Sequence, residues 1–457
     1  MFRGQGVFSF TPPTPIEQDR VARFEKVRFL EAPFTDLVFL FADTTAAQLQ
    51  RAISFTRGDV PGEVRGKIKD ALDYLADDDS QTFDPDLMSA FLNGDTASLF
   101  YAHVWRSSGS PLMYMVNPSE VEGVSLRNKI SAHGIGRRSE VVCRFPRMGQ
   151  PRDPSATGDR TRQADVQSYN IESSLPPTGV GELGFSATAR LEIVSDTTVG
   201  PWVVFELFDK LKVDSARWED GGAATIQRGK DSPLLWVRLD RQLRPGDLRV
   251  LLLSYHGDLI DRYGDFFDIK SSAAWYPRSL EGRSLAKFDL TFNTSATYAL
   301  ASVGNRVDST SSGRSVRTRW VSQGPIRNAS FNLGLFKSYE VREDGVPPVT
   351  VMISEEGHKK LARVYVQQRK MREKVGADVS KSLKFFQDVY GPAPVNHFYA
   401  TEIPDFHGEA FPGMVHLSWV TFQNTSDEGD DELFRAHEVA HQWWASAWTF
   451  RATTISG

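Results

Sequence analysis

Cysteine is almost missing from this chain: Cys143 is the only one in 457 residues, so no disulfide can form within it. That shortage does not fix a compartment, because many exported proteins fold without disulfides. Long apolar runs are missing too; "DLRVLLLSY" and "DLVFLFA" have the length of strands, not of a membrane span. No block of Lys and Arg stands out, and the net charge of −5 is small for this length. Nucleic acid and anionic membrane are therefore not expected as partners. The opening "MFRGQGVFSFTPP" lacks the apolar stretch and small-residue cleavage site of a signal peptide. Phe8 and Phe10 instead alternate with Ser9 and Thr11, as in a brief strand. Export would need a leader upstream of Met1; otherwise a soluble cytoplasmic chain is expected. Internal repeats and low-complexity segments are also lacking.

What is present suits a folded protein of about three domains. The composition is 40% hydrophobic, 24% charged and 11% aromatic, which is ample core material. Residues 1–147 mix short strands with helical stretches such as "RGKIKDALDYLA", and read as an α+β N-terminal extension. Residues 148–165, "MGQPRDPSATGDRTRQAD", read as a linker by their Gly, Pro, Ser and Asp content. From 166 to 341 strand follows strand. Phe185, Ala187, Ala189, Leu191 and Ile193 share one face of one of them, and Phe288, Leu290 and Phe292 share a face of another. Turn residues fall between these strands at short intervals, the pattern of an all-β sandwich. From 342 to 457 strand and helix alternate. "VTVMI" reads as a buried strand, and Leu361, Val364, Met371, Val375, Val379, Leu383, Phe386 and Tyr390 form a helical stripe closed by Gly391-Pro392. "NHFYATEI" and "GMVHLSWVTF" read as further strands.

The chemistry is concentrated in "DDELFRAHEVAHQWW". On a helix, residues four apart lie on one face, so His437 and His441 can aim their imidazoles at one point. Zinc takes neutral imidazole nitrogens in a tetrahedral shell. Glu438 follows the first histidine and can reach a metal-bound water rather than the metal, where a carboxylate accepts a proton. Ser426 or Asp427 is expected to cap this helix, with Asp427, Glu428, Asp430, Asp431 and Glu432 at its positive end. Leu433, His437, His441, Trp444 and Trp448 share one side, so the histidines are expected to face an apolar interior. The plainer alternative is that each histidine is a satisfied core residue.

The longer string "HEVAHQWW" resembles the aminopeptidase N family of zinc metallopeptidases, the gluzincins. The likeness extends upstream through "AWYPR" and "FDLTFNTSATYALASVGN", similar to that family's β domain, and covers residues 166–457. It implies that residues 342–457 begin a thermolysin-like α/β catalytic domain that binds Zn2+ and hydrolyses peptide substrates. His437 and His441 would be metal ligands and Glu438 the catalytic base. The third ligand it implies is a glutamate beyond Gly457, and a transition-state-stabilising tyrosine lies further on. The chain is therefore expected to be a C-terminally truncated fragment, binding zinc weakly and lacking useful activity. The family's Gly-x-Met-Glu-Asn strand matches "FHGEAFPGMVHLSW", which makes Gly408, Glu409, Ala410 and Phe411 the expected substrate-binding residues. The amine-binding glutamate position falls on Ala410, with Glu409 one place early. A one-residue shift turns a strand side chain to the other face unless a bulge restores it. His407 and His416 are expected not to be ligands. Two alternatives stand beside the aminopeptidase: a zinc endopeptidase or other zinc hydrolase, and a non-catalytic scaffold. Nothing in the sequence indicates an oligomeric state.

Overall fold

A computed structural model of the chain describes residues 1–54, 58–76, 83–94, 98–129, 139–147, 164–195, 198–272, 274–280, 285–357, 370–393, 395–422 and 429–443. The expected linker lies outside them, apart from Ala164 and Asp165. Two compact units are present, one from Met1 to Thr161 and one from Arg162 to Phe450.

In the first unit six antiparallel strands pair in chain order: Phe2–Phe10, Leu30–Phe41, Phe100–Arg106, Leu112–Val116, Val124–Lys129 and Ser139–Phe145. The period of two decides what each face carries. Ala102, Val104 and Leu112 join a core with Val21 of the helix Pro15–Glu25. Tyr101, Met113 and Met115 join a second core with Ala71, Tyr74 and Leu75 of the helix Gly62–Ala76. Cys143 is buried in the first of these cores.

The second unit contains the β sandwich. Its larger sheet runs Leu211–Trp218, Leu248–Gly257, Phe185–Val194, Asp165–Leu175, Lys287–Ser295, Ser315–Val321 and Asn305–Ser312 in spatial order. A four-stranded sheet faces it: Thr225–Arg228, Leu234–Arg238, Trp202–Glu206 and Arg278–Ser279. Phe185, Ala187, Ala189, Leu191 and Ile193 are all buried between the two, with Val203, Phe205, Leu235 and Val237 opposite.

After the sandwich comes a five-stranded sheet in the order Lys337–Val341, Val349–Ile353, Phe398–Ile403, Met414–Ser418 and Glu409–Phe411. Its inner pairs are parallel and its two outer pairs antiparallel. One face buries Val351, Ala400 and Val415 against the helix Met371–Tyr390, which contributes Met371, Val375, Val379 and Leu383 at four-residue spacing. Leu361 and Val364 of the expected stripe lie outside the described residues, and Tyr390 at its far end is exposed. On the other face Met352, Phe411 and Met414 join the sandwich core.

One strand is shorter than its hydrophobicity suggests. "GMVHLSWVTF" leaves the sheet at Ser418 and continues as a tight helical turn, Trp419–Phe422. The Ser418 hydroxyl causes the change: it donates to the Asp405 carbonyl at 2.6 Å and accepts the Val420 N–H at 3.3 Å.

A second helix on this face, Asp430–Ala440, is anchored by Arg435, which is 0% exposed. Its guanidinium donates to Thr421 Oγ1 at 2.6 Å, to the Thr421 carbonyl at 3.1 Å and to Asp378 Oδ2 at 2.8 Å. A buried charge is tolerable only while paired. Arg435→Leu should therefore cost about 1–3 kcal/mol, because it leaves the mostly buried Asp378 carboxylate with Lys374, 3.5 Å away, as its charged partner. A thermal melt of this unit checks it, and an unchanged midpoint would contradict the assigned anchor.

Candidate active site

The helix Asp430–Ala440 starts at Gly429, which takes the left-handed conformation at φ 81°. That glycine, rather than Ser426 or Asp427, holds the cap position; residues 423–428 lie outside the described residues. Asp430, Asp431 and Glu432 fill the first turn, where the helix dipole favours negative charge. At the other end Gln442 and Trp443 donate to the carbonyls three residues earlier, each at 3.0 Å, so the helix tightens as it closes. His441 sits at this closing position with helical dihedrals of −61° and −14°. It therefore stays on the face of His437, and the two rings meet edge to face with centroids 4.9 Å apart.

That face is not the buried one. Leu433 is 70% exposed, His437 is exposed and His441 half-buried, whereas Arg435, Glu438, Val439 and Gln442 are buried. The expectation of an apolar histidine side is corrected here; Trp444 and Trp448 lie outside the described residues. The inward set follows the spacing of three, four and seven residues required of one helical face. Hydropathy misses it because two of its members are polar: Gln442 is held by two hydrogen bonds, and Arg435 by those of its two terminal nitrogens, its buried Nε having no partner among the described residues.

Gln442 is a positioning residue that the sequence reading did not identify. Its Oε1 accepts the Gly413 N–H at 2.9 Å and its Nε2 donates to the Phe411 carbonyl at 3.0 Å. Both bonds tie the hairpin of the outermost strand, Glu409–Phe411, to the end of the histidine helix. The signal was a buried-type spacing from Arg435, visible only once the helix phase is known.

Glu438 is 6% exposed, and no hydrogen-bond donor among the described residues reaches its carboxylate. It lies directly on Gly408: a Cβ there would stand 2.6 Å from Glu438 Cδ and Oε1. Only glycine leaves that space. Burial pushes the Glu438 pKa up, His441 and His437 pull it down, and the nearby Glu409 pushes it up again.

The outermost strand pairs Glu409 with His416, Ala410 with Val415 and Phe411 with Met414, and no bulge interrupts it. Ala410 packs with the helix-side core and Phe411 with the sandwich core. By the strand's alternation Glu409 shares the Phe411 side and Gly408 the Ala410 side. Accordingly Glu409 accepts a hydrogen bond from Ser272 Oγ at 2.7 Å and lies 3.8 Å from His407 Nε2. The structure thus gathers Gly408, Glu438, His437 and His441 on one side of this strand and turns Glu409 to the other. His407 Nδ1 lies 3.3 Å from Asp405. His416 is fully engaged, Nδ1 at 2.8 Å from Thr401 Oγ1 and Nε2 at 3.2 Å from Ser330 Oγ.

Among the described residues no set of three His, Cys, Asp or Glu side chains converges as a metal site. The candidate donors are two neighbouring imidazoles, the nitrogen type that zinc prefers, His437 exposed and His441 half-buried. Glu438 follows His437 on the same turn, and no donor among the described residues reaches its carboxylate. The residues present therefore fit a zinc ion as two of its ligands and not as a complete set.

Comparison with family models gives no match, and neither does comparison with curated proteins. Among solved structures the chain is similar to an M1 zinc metallopeptidase from Deinococcus radiodurans, with 18% identity over 64% of this chain and 67% of that one, at a TM-score of 0.49. A two-domain M1 zinc metallopeptidase variant bound to L-arginine aligns with 16% identity over 65% and 69% of the two chains, at a TM-score of 0.50. At such identity the likeness is one of fold alone.

The burial of His416 has a consequence for acid stability. Desolvation lowers its pKa from 6.5 to about 4, so the folded protein holds the ring neutral. Between those values the unfolded chain binds a proton that the folded one refuses. Stability is complete above pH 6.5 and falls as the pH drops towards 4, by at most about 3 kcal/mol from this group. Melting midpoints measured across that window should fall, and less steeply in His416→Asn. Equal acid sensitivity in the variant would rule His416 out as the source.

Proposed function

We propose that this chain carries the metal-binding helix and substrate strand of a zinc-dependent peptidase of the aminopeptidase type. The observation that carries the reading is the pair of His437 and His441 rings, centroids 4.9 Å apart, with buried Glu438 on the same turn of helix. The M1 fold likeness supports it. His437 and His441 would hold zinc, which when bound polarises a carbonyl and makes water acidic near neutral pH. Glu438 takes the proton of the attacking water and returns it to the leaving amine. Gly408 and the Gln442 clamp fix the position of that carboxylate relative to the substrate strand. Among the described residues Glu409–Phe411 is the edge of its sheet, and an edge strand can take an extended peptide as a further strand, here at backbone groups other than the Phe411 carbonyl that Gln442 holds. Gly408, Glu409, Ala410 and Phe411 are thus the substrate-binding stretch.

A second reading, a zinc endopeptidase, is favoured by one observation. Ala410 occupies the position where the family likeness places the amine-binding glutamate, while Glu409 is held by Ser272 on the other face. Peptides compared with their N-acetylated forms separate the two; faster cleavage of the blocked peptide selects the endopeptidase.

Among the described residues the two imidazoles supply half a tetrahedral shell. We infer that the 457-residue chain takes up zinc weakly and hydrolyses peptides poorly. Dialysis followed by metal analysis checks this, and tight stoichiometric zinc would overturn it. In an active, zinc-loaded form that includes this chain, Glu438→Gln should keep the metal and lose about 10²–10⁴-fold in rate, since it removes only the proton acceptor. Gly408→Ala should also lower the rate, because its methyl group displaces the Glu438 carboxylate. Activity unchanged in either variant contradicts the assigned role.

A further inference from the structure

In the first unit the strand Phe100–Arg106 presents Tyr101, His103 and Trp105 on one face, the face that meets the helix Gly62–Ala76. His103 is 0% exposed. Its ring stacks on Trp105 with centroids 4.1 Å apart, and Tyr74 of the helix meets it edge to face at 5.5 Å. Its cross-strand neighbours are Val38 and Met113. Nδ1 lies 2.9 Å from the Tyr101 hydroxyl, and Nε2 is buried with no hydrogen-bond partner.

The charges around this ring are unfavourable to a second cation. Lys67 stands 4.7 Å over the Trp105 ring and Lys129 5.0 Å over the Tyr74 ring, so a cation backs each of the two rings that hold His103. Arg127 lies in the same cross-strand row, beyond Met113, and donates to Ser139 Oγ at 2.7 Å. The carboxylates of this layer have other partners. Asp36 lies 2.8 Å from Lys67 and 3.7 Å from Arg3, Glu63 2.6 Å from Arg3, and Asp70 3.9 Å from Lys129. In the helix Phe83–Asn93, Asp86 accepts from Asn117 at 2.6 Å. Burial lowers the His103 pKa to about 3, with Lys129 and Lys67 acting in the same direction. Among the described residues no carboxylate opposes them, Asp84 and Asp86 included.

A protonated imidazole is a donor at both nitrogens. Tyr101 can serve one of them; the other, with the charge, is left among Tyr74, Trp105 and Met113 without an acceptor. Relief requires water to reach Nε2. The strands beside His103 are held by ladder hydrogen bonds on both sides. The helix is held to them by apolar packing and by the Lys67–Asp36 pair, so it is the element that gives way. We propose that His103 is a proton-operated latch: the neutral ring keeps the helix Gly62–Ala76 seated on the sheet, and protonation lifts it, exposing the apolar layer of Met113 and Met115 beneath. The ordinary pKa of 6.5 applies once the helix has opened, so the seated state is fully favoured above that pH and loses ground as the pH falls towards 3. Each pH unit inside that window multiplies the opened population about tenfold. The latch lies within the first unit and involves none of the residues assigned to peptide hydrolysis.

The test is amide hydrogen exchange read by mass spectrometry on the 457-residue chain between pH 7 and pH 4, with exchange times scaled to the chemical rate at each pH. Peptides from the helix Gly62–Ala76 should lose about 10²-fold in protection between pH 6 and pH 4. Those from the helix Pro15–Glu25, on the opposite face of the sheet, should keep theirs. His103→Phe fills the same space, stacks on Trp105 and cannot take a proton, so it should hold the helix protected across the range. Protection of Gly62–Ala76 that does not change with pH overturns the proposal. So does simultaneous loss from both helices, which is unfolding of the whole unit rather than release of one layer. A loss that persists in His103→Phe assigns the trigger to another group and overturns it too. If His103→Phe fails to fold, seen as lost ellipticity at pH 7, the slope in the unaltered chain decides. One proton gives about tenfold per pH unit; a slope of two protons or more spreads the effect over several groups and rejects His103 as the latch.

Discussion

The ion pair between Arg435 and Asp378 sets the rotation of the histidine helix, and the site's geometry follows from that rotation. A guanidinium with no exposure has one acceptable environment, and here Thr421 and Asp378 supply it. With Arg435 directed inward, a helix of 3.6 residues per turn must also direct Glu438, Val439 and Gln442 inward. His437 and His441 are then left on the open side, where a ligand can reach them. A rotation of about 100°, one residue's worth, would exchange these roles and bury the imidazoles. The energetic asymmetry makes the arrangement secure: a buried arginine gains modestly from its partners but costs far more when stripped of them.

The pleat of a three-residue strand divides the remaining chemistry. Gly408 and Ala410 face the helices, and the missing Cβ at Gly408 is what allows Glu438 to lie against the backbone. Glu409 and Phe411 face the sandwich, where Ser272 meets the Glu409 carboxylate. The carboxylates of Glu438 and Glu409 therefore stand towards opposite faces of one strand. Gln442 holds that strand to the helix by its backbone, so both faces are registered to the histidines through two hydrogen bonds.

Much of this was legible in the sequence where one physical period dominates. The alternation from Phe185 to Ile193 gave the sandwich face, and the four-residue spacing from Met371 to Leu383 gave the buried side of the long helix. The spacing of His437 and His441 gave their shared face. The phase of the histidine helix was not legible, because it is set by Arg435 and Gln442, polar residues whose partners lie elsewhere in the chain. Asp378 is 57 positions away from Arg435. Hydropathy assigns such residues to the surface; only their hydrogen bonds put them inside. The turn after Ser418 was hidden for a similar reason, since "WVTF" has the composition of a strand and is bent by a hydroxyl group.

The state of Glu438 links these threads. A carboxylate at 6% exposure with no donor among the described residues is costly as an anion, and its raised pKa expresses that cost. A purely structural role would be met better by a glutamine or an apolar residue of similar size, which carries no such penalty. The neighbours that offset part of the cost are the two histidines, and their help is greatest when positive charge stands between them. The same carboxylate is pressed against a glycine whose only evident service is to admit it. A fold that buries an acid, clears backbone space for it and sets two imidazoles on the same turn has an arrangement that a nearby positive charge would stabilise.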